Sequence, residues 1–322
     1  MTRVAVVSDV HYAGPQEKAH GPDFEFDQAP ASWRRGLVRL YRNHVWMRNP
    51  VGHNRLLDVF IERASAADLV IANGDYACDV AGVGVSDDAA CESVKACLGR
   101  LRSHFGNRLE AIIGDHELGK VSLLGDHGGL RLRSWERATQ ECGLQPFWRR
   151  DCGRHVLLGV TSTLLALPVF RPDAMAEEWM AWEKLRAGHV AEVRRAFGGL
   201  EQDQRIVLFC HDPTALSYLW AEPAVQERSH QIVLTVIGHL HTRLVFWKSR
   251  WLAGMPVIRA LGVSAQRMTS ALNQARCWEY FHPVLCPALA GIELHKRGGY
   301  LTLELSDDGE RVQRHGLKRG AG

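Results

Sequence analysis

Arg3-Val4-Ala5-Val6-Val7-Ser8-Asp9-Val10-His11 is a short run rich in branched apolar residues that ends in a carboxylate and an imidazole. The run reads as a strand, Arg3–Ser8. Asp9 and His11 lie two apart, so on an extended segment they project to the same side. The same order recurs along the chain. Leu69–Asn73 leads into Gly74-Asp75, and Leu109–Ile113 into Gly114-Asp115-His116-Glu117. Ile206–Cys210 leads into His211-Asp212, and Ile232–Ile237 into Gly238-His239-Leu240-His241. Five apolar strands thus each deliver an acid or imidazole just past their last buried residue. In an open α/β sheet such strand ends converge on one crevice, and glycine in three of the five turns lets the backbone bend sharply there. One Asp or His after a strand is ordinarily a cap or turn residue; the weight lies in the five placements together.

Working outward, further strands are expected at His155–Thr161, Leu244–Trp247, Val257–Ala260, Gly291–His295 and Tyr300–Leu305, with Gly298-Gly299 as a hairpin turn. Helical periodicity covers Asn54–Ser65, Asp87–His104, Leu132–Cys142, Met175–Phe197 and Thr214–Trp220. The first half alternates strand and helix, which predicts parallel βαβ units, and the later part is denser in strands. The sum is an α/β protein with a mixed sheet or two packed sheets. No linker, low-complexity tract or repeat divides the chain, so residues 1–322 read as one domain.

Carboxylates and neutral imidazoles together suit first-row divalent ions such as manganese, iron, zinc or nickel. Asp9 and His11 can share one ion, His239 and His241 can do likewise or reach two adjacent ions, and Asp75 has two oxygens with which to bridge a pair. Two such ions form a clamp for in-line displacement at phosphorus, and they lower the pKa of a shared water so that it attacks as hydroxide. His116 is then placed to protonate the leaving oxygen or to stabilise charge there, with Glu117 able to orient it.

Composition narrows the classes. Hydrophobic residues at 46% and charged residues at 23% fit a soluble globular chain. A formal net charge of +3 is too small to imply wholesale nucleic-acid binding. The eight cysteines form no CxxC pair and no zinc-finger spacing, which points to a reduced, cytoplasmic chain with structural thiols. The apolar run at the N-terminus is too short for a signal peptide. Val156–Phe170 is interrupted by Gly159, Thr161, Ser162 and Thr163 and is too short to span a bilayer.

The set DxH, GD, GNH followed by an acid, a His after a strand, and GHxH resembles the calcineurin-like metallophosphoesterase family. Here the set is Asp9-Val10-His11, Gly74-Asp75, Gly114-Asp115-His116-Glu117, His211 and Gly238-His239-Leu240-His241, in family order over roughly residues 3 to 241. The resemblance implies two mixed β-sheets packed together between helices, a four-layer α/β/β/α sandwich. It implies a first metal on Asp9, His11, Asp75 and His241, and a second on Asp75, Asp115, His211 and His239. Two positions depart from the pattern. Asp115 stands where the family has Asn and adds a negative charge, and Cys78, followed by Asp79, stands where many members carry a second Asp.

Two segments are candidates for choosing the substrate. Between Asp27 and Asp58 there is no acidic residue, yet Arg34, Arg35, Arg39, Arg42, Arg48 and Arg55 are present. Trp33, Leu37, Leu40 and His44 or Val45 recur at helical spacing while Arg35, Arg39 and Arg42 line another face, so an Arg-rich helical insertion is expected at about 28–57. It reads either as a helix packing its apolar side with solvated arginines outside, or as a wall gathering an anionic phosphate ester. With Trp46 and Met47 it has the composition for peripheral contact with an anionic membrane or a lipid tail. The second segment, 267–282, carries Arg267, Arg276, Trp278, Tyr280 and Phe281. The function expected is hydrolysis of a phosphomonoester or phosphodiester. The competing readings are a nuclease of the same family and a non-catalytic metal-dependent binding module.

Overall fold

The computed structural model describes residues 1–24, 33–47, 49–121, 127–258, 260, 263–291 and 298–317. Among them the strands are β1 (Thr2–Val7), β2 (Leu69–Ala72), β3 (Leu109–Ala111), β4 (Phe147–Cys152), β5 (His155–Val160), β6 (Arg205–Cys210), β7 (Ile232–Ile237), β8 (Pro283–Leu285), β9 (Gly299–Ser306) and β10 (Gly309–Gly316). They form two five-stranded sheets, ordered β10-β9-β1-β2-β3 and β4-β5-β6-β7-β8. Both sheets are mixed. In the first, β1, β2 and β3 run parallel while β9 and β10 are antiparallel additions. In the second, β5 to β8 run parallel and β4 is the antiparallel edge.

The period-2 alternation of the central strands explains the layering. Val4 and Val6 of β1 and Ile71 of β2 face Leu157, Val207, Phe209 and Val236 of the other sheet, in a core between the two sheets. The intervening Ala5, Val7, Val70 and Ala72 face outward, onto Leu57 and Phe60 of helix Arg55–Ala64 and Val94, Leu98 and Leu101 of helix Asp88–Phe105. Val156, Leu158, Ile206 and Leu208 do the same on the far side, under Val193 and Phe197 of helix Trp179–Gly198 and Leu216 of helix Ala215–Trp220. The result is the expected four-layer α/β/β/α sandwich, in which full burial of each large apolar side chain contributes about 1.5–3 kcal/mol.

Parallel strands put their C-terminal ends on one edge. Backbone bonds stitch the following turns together across both sheets: His11 N to Asp75 O at 3.0 Å, Leu289 N to Asp9 O at 3.2 Å, and Gly238 N to His211 O at 2.9 Å. The expected helices form at their places.

Leu244–Trp247 is not a strand but part of helix Arg243–Trp251, because the Thr242 side chain accepts from Val245 N and starts a helical turn. Val257 and Ile258 lie in irregular chain, and the remainder of that expected strand falls partly outside the described residues. The same holds for Gly291–His295 beyond Gly291, and hence for the partner of the Gly298-Gly299 turn. No helix among the described residues is long and apolar enough to cross a membrane.

Candidate metal centre

Asp9, His11, Asp75, His239 and His241 all have positive φ, at 51°, 46°, 58°, 61° and 54°. The strand therefore ends sharply at Asp9, and these side chains reach the crevice from a left-handed backbone rather than by extended alternation. Such conformations cost about 1–3 kcal/mol each and persist only where surrounding structure fixes them. Here Asp9 N is held by Gly74 O at 3.2 Å, and His239 N by Asp9 Oδ1 at 3.1 Å. Two glycines give the space. A Cβ on Gly114 would lie 2.3 Å from Asp75 Oδ1, and one on Gly238 2.1 Å from Ser8 Oγ.

The side chains gather into groups whose donor atoms lie within 4.8 Å of one another: Asp75, Asp115, His211 and His239; Asp9, His11 and His241; and His11, Asp75 and His116. His211 Nε2 stands 3.0 Å from Asp75 Oδ2 and 3.1 Å from Asp115 Oδ1. His239 Nδ1 is 2.9 Å from Asp115 Oδ1, and His241 Nε2 is 3.2 Å from Asp9 Oδ1. Asp75 Oδ2 also faces His11 Nε2 at 4.0 Å, so one carboxylate oxygen lies between the groups.

The far sides of the rings are fixed as metal ligands require. His11 Nδ1 donates to Ala77 O at 3.2 Å, and His211 Nδ1 to Asn73 O at 2.6 Å. This turns Nε2 of each ring inward, and His11 Nε2 is buried with no hydrogen-bond partner. A buried polar atom left so costs free energy unless something pairs with it.

The electrostatics agree. Burial works to raise the Asp9 carboxyl, but His241, His211 and His11 hold it well below its ordinary range. Burial works against charge on His211, yet Asp75 and Asp115 lift it well above a normal imidazole. Ionised carboxylates facing inward-turned imidazole nitrogens are a donor set for divalent cations.

His116 lies at the margin of this cluster. Its backbone N donates to Asp75 Oδ1 at 3.1 Å and its Nδ1 faces Cys78 O at 3.1 Å. Nε2 is 3.9 Å from Asp75 Oδ2, and the side chain retains 13% exposure. Glu117 does not orient it. That carboxylate is wholly buried and accepts from Gly114 N at 2.8 Å, Asp75 N at 3.0 Å and Tyr76 N at 2.7 Å. Burial and the Asp75 charge push its carboxyl up to about 8, against the pull of those amide donors. Glu117 thus braces the turn that carries Asp75.

The insertion departs most from expectation. Helix Trp33–Tyr41 continues into a π-helical turn, Arg42–Trp46. Its apolar side faces out, with Trp33 73% exposed and Leu37, Leu40 and Val45 also exposed, whereas Arg35 and Arg42 are buried. Arg42 donates to Pro22 O at 3.2 Å, and Arg39 pairs with Asp23. Arg35 and Arg42 of the cationic face are therefore turned toward the protein, where arginine stems pack and their heads find partners, while Arg39 stays half exposed beside Asp23. Trp46 and Met47 also point inward. Met47 is buried, and the Trp46 ring stacks on His241 with centroids 5.1 Å apart. In the second segment Arg267 pairs with Asp173. His127, which follows the Asp115–Glu117 turn, belongs to none of the three donor groups.

Three residues not assigned to the site from the sequence also touch it, among them Asp212, which the sequence places as a cap of the following helix. Ser8 Oγ donates to Asp9 Oδ2 at 2.6 Å. Asp212 Oδ2 lies 3.8 Å from His239 Nε2, while its Oδ1 accepts from Thr214 N. Lys120 Nζ lies 2.9 Å from Asp115 Oδ2. All three flank recognised motifs, and proximity to them in sequence was the available signal.

No curated protein matched the chain. Among solved structures, the phosphopantetheinyl hydrolase PptH from Mycobacterium tuberculosis is similar at 15% identity, over 74% of this chain and 83% of that one, with a TM-score of 0.34. That likeness is too low to bear on substrate. The family model described as calcineurin-like phosphoesterase matches residues 2–243, a span that holds every member of the three donor groups. The chain belongs to the calcineurin-like phosphoesterase family.

Proposed function

We propose that this protein hydrolyses a phosphomonoester or phosphodiester at a pair of divalent transition-metal ions, with Asp9, His11, Asp75 and His241 holding one and Asp75, Asp115, His211 and His239 the other. The observation that carries this is the position of Asp75 Oδ2, 3.0 Å from His211 Nε2 and 4.0 Å from His11 Nε2, between two groups that each supply further donors. The ions, when bound, supply Lewis acidity to the phosphoryl oxygens and lower the pKa of the attacking water. His116 transfers the proton at the leaving oxygen through Nε2, because Nδ1 is committed to Cys78 O. Glu117 keeps the Asp75 turn in place. A non-catalytic binding module would have no use for His116 beside a complete donor set. A nuclease would be expected to carry more positive charge than this chain has.

The test is reconstitution of chelator-stripped protein with manganese, iron, zinc and nickel in turn, followed by elemental analysis and assay on aryl phosphate mono- and diesters. Two ions per chain and metal-dependent turnover are expected. A chain that takes up no metal under any of these conditions defeats the proposal.

A finer reading of the partner comes from the rim. Trp247 and Trp251 on helix Arg243–Trp251 are 62% and 76% exposed, beside Arg243, Lys248 and Arg250. No acidic residue occurs between His241 and Glu279. Together with the outward apolar side of helix Trp33–Tyr41, this makes two tryptophan-bearing helices, both joined to the His241 end of the crevice by short connections. Exposed tryptophan with cations and no acids suits an anionic lipid surface. Co-sedimentation with vesicles containing phosphatidylserine, but not with pure phosphatidylcholine vesicles, is expected, and Trp247→Ser with Trp251→Ser should release the protein. Failure to sediment with either vesicle, or self-association through this face, would set the lipid reading aside while leaving the hydrolytic one intact.

A further inference from the structure

The two oxygens of Asp115 have different surroundings. Oδ1 faces into the donor group, 2.9 Å from His239 Nδ1 and 3.1 Å from His211 Nε2. Oδ2 faces away and meets Lys120 Nζ at 2.9 Å. Lys120 is held there by its backbone. The helical turn Asp115–Leu118 ends at Gly119, whose φ of 101° reverses the chain, and Lys120 N then bonds Gly82 O at 3.1 Å.

We propose that Lys120 is the counter-charge that makes aspartate the proper ligand at position 115: it engages Oδ2, leaves Oδ1 to the metal, and cancels the negative charge that distinguishes this chain from the Asn-bearing family pattern. The inference rests on the metal-site reading above. An amide at 115 has one oxygen and one NH2. If its oxygen faced the metal, its NH2 would face the Lys120 ammonium, donor against donor. The two positions are therefore matched as a pair: Asp with Lys, or Asn with a neutral residue. Lys120 acts through Asp115, so it is a positioning residue.

The test is a double-mutant cycle read by metal affinity. Manganese(II) and zinc(II) are titrated separately by calorimetry into the chelator-stripped parent, Asp115→Asn, Lys120→Met, and the protein carrying both changes. Thermal melts of the metal-free proteins establish that each is folded, and Lys120→Gln replaces Lys120→Met if the latter is not. Asp115→Asn alone should lose affinity by about 10–100-fold, the size typical of disturbed ligand support. Lys120→Met alone should bind metal more tightly than the parent, because Asp115 then keeps its full charge for the ion, and Lys120→Arg should behave like the parent. The double variant should recover most of the loss caused by Asp115→Asn.

Effects of the two single changes that simply multiply in the double variant would overturn the pairing. So would unchanged metal affinity in Lys120→Met with a raised KM for aryl phosphate, which would make Lys120 a substrate-binding cation instead. If the parent itself takes up neither ion, it is the metal-site reading that fails, and the pairing falls with it.

Discussion

The strand ends and the helix Trp33–Tyr41 carry equally clear polar patterns, yet the first maps directly onto the structure and the second is inverted. Toward the strand ends the backbone is committed on both sides by ladder hydrogen bonds, as when Val4–Val6 of β1 pairs with both β2 and β9. A polar residue after the last ladder position can only lie at the sheet edge, and parallel strands share that edge. A helix satisfies its own backbone, so its two faces are interchangeable as far as hydrogen bonding is concerned. Leu37 and Arg42 then take whichever side the surroundings favour, and here the arginine lies inside. Patterning separates the residues into two sets; the topology of the element decides which set is buried.

The largest expected effect tests the strand-end half of that contrast. Asp75→Asn should deplete both ions and lower turnover by roughly 10³-fold or more, the size expected when several kcal/mol of Lewis-acid stabilisation is lost. Elemental analysis beside an aryl phosphate assay reads it. Retention of both ions would mean that the two donor groups are not joined through Asp75.

His116→Ala should keep both ions and slow turnover by about 10²–10⁴-fold for poor leaving groups, with much less effect on good ones. A flat dependence across a leaving-group series would remove His116 from proton transfer.

Gly114→Ala probes the crowding at the same edge. The new Cβ would stand 2.4 Å from Asp75 N as well as against its carboxylate, so the turn must shift. Metal affinity should fall by about 10–100-fold in a protein that still folds.

The smallest effects belong to the helix. Arg42→Gln should cost roughly 1–3 kcal/mol of stability, because a buried guanidinium and the carbonyl of Pro22 lose each other. Leu37→Ser should stay within about 0.5 kcal/mol of the parent. Paired denaturant titrations compare them. If Leu37→Ser proves the costlier, the helix does not sit as described, and the contrast between the two regions disappears.

The α/β class and the side chains gathered in the three groups were legible from the central strands, where burial on two faces makes apolar runs continuous; the four-layer arrangement was implied by the motif resemblance. Edge strands were not. In β4, Arg149 and Asp151 are exposed, and in β10 the run Arg311 to Arg314 is exposed throughout, so neither shows an apolar run. Strand β8 is just Pro283–Leu285, below the length at which periodicity is visible. Leu244–Trp247 misled because four apolar residues fit a strand or one helical turn alike, and the arbiter was the Thr242 cap. Glu117 does not turn toward His116, since a carboxylate with three backbone amides in reach binds those first. Lys120 was passed over because its meaning depends on which oxygen of Asp115 points outward, a matter of rotamer and not of spacing.

Five of the seven candidate donors occupy left-handed backbone, a region that glycine enters freely and any residue with a Cβ only at a cost, aspartate and histidine being among those found there most often. The centre is therefore a mechanical load on the fold, borne by the two sheets beneath it. His239→Gly would lighten that load while weakening metal binding, and the metal-free protein should then melt at a higher temperature than the parent. Directed evolution of this chain for heat resistance alone would tend to dismantle its chemistry first. Ancestral or consensus redesign should accordingly hold these five positions fixed and seek its gains in the strands and helices that carry them.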